Sequence, residues 1–319
     1  MALDFPNAPS DGQEYEGFVF SSATGAWRVR RDPALIPVTY LVIGGGGGGG
    51  YALNWQGGGG GAGGYRCNVP GETSGGNSPA EPPMALALGT YSLIVGAGAT
   101  GVATRYDVAP YGGVSKFASV FALGGGTAAT LDYGAGYSGG GAVISNAPFR
   151  VGGVGISFMN FAGGDAWNNN AQNSSAGGGG GAGAVGADAP TQLIAGDGGA
   201  GIASSITGSS VTRAGGGAGG SYYTGGTGGV GGGGDGASVT AVGTAGTANT
   251  GGGGGGSASR TVTFQPGSDG GSGVVIFSVL TGTGITFSGG VTQTSATVGS
   301  NTVYTVTATA TTSETFTIG

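Results

Sequence analysis

Histidine is absent from the 319 residues, cysteine occurs once, proline twelve times, and charged side chains make up 8% of the chain. Each shortage closes a class of function. Without histidine, Ser-His nucleophilic sites, histidine general acid/base chemistry and histidine metal centres are excluded. The single Cys67 has no partner for an intrachain disulfide and reads as a small structural residue. Nine basic residues stand against fifteen acids, for a net charge of −6, and only Arg28, Arg30 and Arg31 cluster. Counterion release needs a concentrated basic face, so no nucleic-acid partner is expected. No apolar run approaches the roughly 20 residues that span a bilayer, so no membrane insertion is expected. The N-terminus shows neither the basic nor the apolar stretch of a signal peptide.

What the chain has instead is glycine, 83 residues of it, with seven in a row at 44–50 and six at 251–256. In a helix or an ordinary strand interior each would cost roughly 0.5–1 kcal/mol relative to alanine. The sum, on the order of tens of kcal/mol, exceeds the net stability of a domain, so the glycines either pack against something or leave the chain disordered. Collagen needs a strict glycine period of three and abundant proline, and neither is present. Left-handed extended helices of the polyproline II type remain: with no Cβ they can be surrounded by one another and bond through their backbones. A run of seven would be about 22 Å long. A flexible linker is the competing reading. Against it stand 38% hydrophobic residues, little charge, and apolar β-branched stretches at 38–43, 90–95 and 274–279 that lead into or out of the glycine runs.

Three regions follow. Residues 1–37 carry Phe5, Tyr15, Phe18, Phe20 and Trp27 around a Ser22-Ala23-Thr24-Gly25 turn and read as a small β hairpin for attachment. Residues 38–280 form the glycine-rich body. Residues 281–319 alternate Val303, Thr305, Thr307 and Thr309 with Tyr304, Val306 and Ala308, the period of strands in a C-terminal hairpin that finishes in Thr315-Phe316-Thr317-Ile318. The expected fold is all-β or irregular: a poly-glycine II-type helix bundle or a glycine-rich sandwich, fed by short strands and flanked by small N- and C-terminal β modules.

Chemistry in this chain would fall to carboxylates. Asp165, Asp188, Asp197, Asp235 and Asp269 each lie in a Gly/Ala/Asn turn, where aspartate ordinarily bonds its own backbone. Gly231-Gly232-Gly233-Gly234-Asp235-Gly236 sets its aspartate one place early for the calcium-binding glycine repeat and occurs once. No enzymatic activity, metal or cofactor is expected. Recognition is the stronger reading: Tyr51, Asn54 and Trp55, then Trp167 with Asn168, Asn169 and Asn170, then Tyr222 and Tyr223 interrupt the glycine runs. Rigid aromatics beside adaptable polar groups are what binding loops use.

Tyr40-Leu41-Val42-Ile43 entering the first run, 57–61 leading to Tyr65-Arg66, Leu88-Gly89-Thr90-Tyr91-Ser92-Leu93-Ile94-Val95, and the exit Gly271-Ser272-Gly273-Val274-Val275-Ile276 together resemble the glycine-rich domains of bacteriophage tail-fibre and appendage proteins. The body is similar in kind to the tip adhesins of T-even phages, where packed poly-glycine helices carry variable loops. The start Leu3-Asp4-Phe5-Pro6, with Trp27 after it, is similar to a short module of phage structural proteins. The resemblance implies a virion protein that binds a host cell-surface glycan or outer-membrane protein through the loops named above. It also implies attachment to other virion proteins through residues 1–37, as a homotrimer or at the tip of a trimeric fibre. A structural tail or head component without a receptor is the alternative, and a polysaccharide-cleaving tailspike a third reading.

Overall fold

The computed structural model describes residues 6–15, 18–29, 35–51, 56–104, 110–128, 140–141, 151–167, 174–258 and 265–319. Among them there is no α-helix; strands are numbered in chain order. β1 (Glu14–Tyr15), β2 (Phe18–Ser21) and β3 (Ala26–Val29) form an N-terminal antiparallel meander, one strand more than the expected hairpin. A six-stranded sheet runs β16 (Val291–Val298), β17 (Asn301–Thr309), β14 (Val274–Leu280), β4 (Ile36–Ile43) and β5 (Tyr65–Cys67), with β8 (Met84–Leu86) on the first half of β4. A five-stranded sheet runs β11 (Val120–Ala122), β10 (Ser115–Phe117), β9 (Gly89–Ile94), β18 (Thr315–Ile318) and β15 (Ile285–Phe287). Two short pairs complete the set: β6 (Thr73–Ser74) with β7 (Ser78–Pro79), and β12 (Ile202–Ser204) with β13 (Val211–Arg213).

The unbroken apolar runs of β4 and β14 are explained by burial on both faces. Val38, Tyr40 and Val42 of β4, with Val275, Phe277 and Val279 of β14, meet Leu93, Phe117, Phe316 and Ile318 of the five-stranded sheet. Phe117 is the hub, its ring 4.9 Å from both Phe277 and Phe316. The alternate residues, Leu41, Ile43, Val274 and Ile276, face the opposite way, onto Tyr65, Cys67, Ile202 and alanines of the glycine body. Tyr91 and Tyr304 stack on Phe316 and Phe277. The segment 281–319 contains a hairpin β16–β17, whereas 315–318, expected to finish the hairpin with the alternating strand, form β18 and pair with β9 and β15 instead. The segment is thus hydrogen-bonded into the body, β17 to β14 and β18 to β9.

Beyond the sheets the strands run directly into glycine segments, and the pairing geometry changes. The N–H groups of Gly44, Gly47 and Gly50 donate to the carbonyls of Gly64, Gly61 and Gly58. Those of Gly46 and Gly49 donate to Gly271 and Ser268, and that of Gly45 to Gly113. Gly48 donates to the Thr127 hydroxyl, which passes the bond on to the Pro110 carbonyl in the same segment as Gly113. Carbonyls repeat the pattern. Gly46 and Gly49 accept from Ala99 and Val102, Gly47 and Gly50 from Gly254 and Ser257, Gly45 and Gly48 from Gly125 and Ala128. Every third residue therefore addresses the same neighbour, which is a threefold extended helix, and none of these glycines has a positive φ. Residues 44–50 are surrounded by six segments, three receiving its N–H groups and three donating to its carbonyls.

The alternatives left open by the sequence, glycine helices or glycine strands, resolve to a bundle of poly-glycine II-type helices. A side chain at any of positions 44 to 49 is sterically forbidden. A Cβ at Gly44 through Gly49 would lie 2.2, 1.9, 2.0, 2.1, 2.3 and 2.0 Å from a neighbouring backbone carbonyl oxygen. Where the sheet begins, Ser115 manages the transition, donating to the Ile43 carbonyl at 2.6 Å and accepting from the Gly96 N–H at 2.9 Å.

Candidate functional site

The glycine helices give the molecule two poles. β4 runs from Ile36 through Ile43 into 44–50, and β18 ends at Ile318 opposite Gly89, the start of the strand that leads to the glycine segment at Gly96. Residues 36 and 318 therefore lie at the sheet pole. Turns near the sheets are made by residues with left-handed backbone: Gly231 and Gly232 at φ 103° and 100°, Asn249 and Gly251 at 61° and 68°. At the opposite, distal pole the turns carry larger side chains.

Trp167 ends the segment that passes Gly181 and Gly178, and its N–H donates to the Ser175 carbonyl at 2.9 Å. Ser175 is bridged to Ser221, and the two buried hydroxyl oxygens lie 2.9 Å apart. Ser175 reaches the Gln192 carbonyl at 2.8 Å and Ser221 the Leu193 carbonyl at 3.0 Å. Thr224 donates to Leu193, and Ala195 to Thr224, each at 3.0 Å. The distal turns at 190–194 and 221–224 are thus tied to one another and to Trp167. On this frame Trp167, Leu193, Ile194 and Tyr223 are 41%, 47%, 43% and 50% exposed. Tyr222 is half-buried and meets Tyr223 edge-on at 5.0 Å. The result is an apolar and aromatic surface on turns held by buried serine hydroxyls.

A family model described as a glycine-rich domain matches residues 21–280. The chain belongs to this glycine-rich domain family. No curated protein and no solved structure matches the chain. The match ends where β14 ends, although β17 and β18 complete the two sheets of the glycine-rich domain. Among the described residues no helix is long and apolar enough to cross a membrane.

Of the residues named from sequence for recognition, Trp167, Tyr222 and Tyr223 share the distal pole of the glycine-rich domain. Tyr51 is buried at the end of the central helix, unlike the exposed Trp167 and Tyr223. Asn54, Trp55, Asn168, Asn169 and Asn170 lie outside the described residues, as does Phe5. Leu193 and Ile194 were missed, because a two-residue apolar step in a short turn reads as core. For the N-terminal set, Tyr15, Phe18, Phe20 and Trp27 fall on one face of the meander, with the Trp27 ring 5.5 Å from Phe20 and 6.2 Å from Tyr15.

The aspartates act between segments rather than on their own turns. Asp165, Asp188, Asp197, Asp235 and Asp269 accept from the N–H groups of Gly152, Asp165, Thr227, Gly228 and Gly101, at 2.6 to 2.9 Å. Each supplies the acceptor that a further glycine helix would otherwise provide. A second polar group braces β5. Arg66 pairs with Glu81 through both carboxylate oxygens, and the Tyr40 hydroxyl donates to Glu81 at 2.7 Å. Burial pushes the Glu81 carboxyl up, but the bonds from Arg66 and Tyr40 outweigh it and hold the group below its ordinary range. Burial likewise raises the Cys67 thiol, to about 12.

Proposed function

We propose that this glycine-rich domain protein is a bacteriophage adhesin: a virion appendage whose distal pole binds a host cell-surface glycan or outer-membrane protein. The observation that supports this most directly is the gathering of exposed Trp167, Leu193, Ile194 and Tyr223 on the pole away from residues 36 and 318. Large aromatics supply contact area at low entropic cost, and they do so best from a rigid frame. Residues 1–37, with the aromatic face of the meander, are the attachment module to other virion proteins, as a homotrimer or at the tip of a trimeric fibre. In this reading the protein is not an enzyme and the glycine bundle serves only to hold the turns. The test is saturable binding of purified protein to host cells, with blockade of adsorption by the phage that carries it. Loss of both on Trp167→Ala and Tyr223→Ala would support the proposal. A folded preparation that neither binds nor blocks would leave a structural virion component instead.

A further inference from the structure

A second surface lies near the sheets, at the turn 156–160. This turn is fixed from several sides. Met159 and Asn160 donate to the Ile156 carbonyl at 3.0 and 3.1 Å, and the Asn160 side chain accepts from the Ile156 N–H at 2.8 Å. The same side chain donates to the buried Ala62 carbonyl at 3.0 Å, and the Met159 carbonyl accepts from Tyr65 at the start of β5. At the tip stands Phe158, 67% exposed and at φ +66°. A bulky residue in the left-handed region is strained, and the ring is not buried in return. Glycine would relieve the strain, and this chain uses glycine freely. Beside the ring is an open cleft of about 430 Å³, lined by Gly76, Ser78, Gly155, Ser157 and Phe161. Ser78 and Ser157 have no side-chain hydrogen-bond partner among the described residues.

We propose that the Phe158 cleft is a carbohydrate subsite, taking one pyranose ring with its C–H face on Phe158 and its hydroxyls on Ser78 and Ser157. The volume is in the range of small-ligand clefts. An aromatic platform with two free hydroxyls is complementary to a neutral sugar, which presents an apolar face and a polar rim. This subsite stands apart from the distal pole, and independently of the reading given to that pole. The segment 161–167 that separates them is about 20 Å long at the threefold rise.

The test is saturation-transfer NMR on the full chain with a panel of methyl pyranosides: hexoses, N-acetylhexosamines and 6-deoxyhexoses. At least one should bind, with ring protons saturated. Phe158→Gly should weaken that binding at least tenfold while raising the melting temperature by roughly 2–4 °C, because the strain is released. Phe158→Tyr should retain binding, and Tyr223→Ala should leave it unchanged. The proposal is overturned if no panel member binds, if Phe158→Gly binds as well as the parent, or if Phe158→Gly melts lower. It is equally overturned if Phe158→Gly changes only the sedimentation coefficient, since the ring is then a contact between copies.

Discussion

Gly47→Ala should be among the most damaging substitutions available in this chain, although it adds one methyl group. Its Cβ would stand 2.1 Å from the Gly126 carbonyl oxygen and 2.4 Å from the carbonyl carbon, where ordinary contact begins near 3.4 Å. The helix must retreat by about 1 Å or more. Gly47 donates to Gly61 and accepts from Gly254, while Gly61 donates to Gly126, all at 2.8 to 2.9 Å. A retreat of that size breaks at least two of these bonds in an interior that water does not reach, at about 1–3 kcal/mol each. The expected loss is thus about 2–6 kcal/mol, read as a shift of the urea midpoint at constant slope. Two comparisons make the result interpretable. At Gly243 the added Cβ first meets the Ser268 hydroxyl at 3.0 Å, so Gly243→Ala should cost about 1 kcal/mol; at Gly289 it meets nothing within 4 Å, so Gly289→Ala should be neutral or slightly stabilising. In an exposed α-helix or a flexible linker Gly47→Ala would be stabilising or silent. A Gly47→Ala protein as stable as the parent would refute the threefold packing.

At the distal pole, Trp167→Ala and Tyr223→Ala should abolish cell binding while moving the melting temperature by no more than about 2 °C, since both rings are substantially exposed; differential scanning calorimetry beside a binding isotherm checks this. Glu81→Gln should cost about 2 kcal/mol at pH 7. Because the Glu81 carboxyl is held below its ordinary range, its contribution is complete above the ordinary carboxylate range and lost as pH falls through the lowered value. The variant should therefore lose less stability on acidification than the parent, measured by melting curves from pH 7 to pH 3. Cys67, buried and raised to about 12, should be inert to a thiol-reactive chromophore in the native protein and react fully only in denaturant. Asp197→Ala should destabilise by about 1 kcal/mol by removing the acceptor for the Thr227 N–H, and Asp197→Asn, which keeps an oxygen there, should restore most of it in chemical denaturation.

Local chemistry made part of this fold legible and long-range geometry hid the rest. Tyr40-Leu41-Val42-Ile43 and Val274-Val275-Ile276-Phe277 read as strands because they are continuously apolar and β-branched, and burial on both faces of β4 and β14 is why they are so. The tail's alternation marked β17 as a strand but not its surroundings: Val306 enters the core between the two sheets and Val303 the opposite one beside Tyr65 and Cys67, so β17 is covered on both faces at these positions. Strands of three residues such as β10 and β12 leave no periodic trace. Pairing order was also invisible, because β9 finds β18 across more than two hundred residues. At the candidate site Trp167, Tyr222 and Tyr223 stood out as large aromatics among polar and small neighbours. Tyr51 looked the same in sequence and is buried, since a residue that ends an interior helix inherits that helix's surroundings.

The glycine helix is an unusual solution to a general constraint. A pleated strand spends its backbone bonds on two neighbours and its side chains on two faces; a threefold glycine helix has no faces and can bond in six directions. Its cohesion is backbone alone, so it is indifferent to what the turns between helices carry. It is also intolerant of any Cβ inside, as the contacts of Gly44 through Gly49 require. The cost appears at the boundary, where an outer helix lacks neighbours and would leave N–H groups without acceptors. Asp197, Asp235 and Asp269 fill those places, and Thr127 does the same for Gly48 within the bundle. These aspartates are thus committed to closing the lattice, while the residues free to differ without disturbing it are those exposed on the distal turns. A binding surface located there can change one side chain at a time, because no backbone bond of the interior depends on which side chain it is.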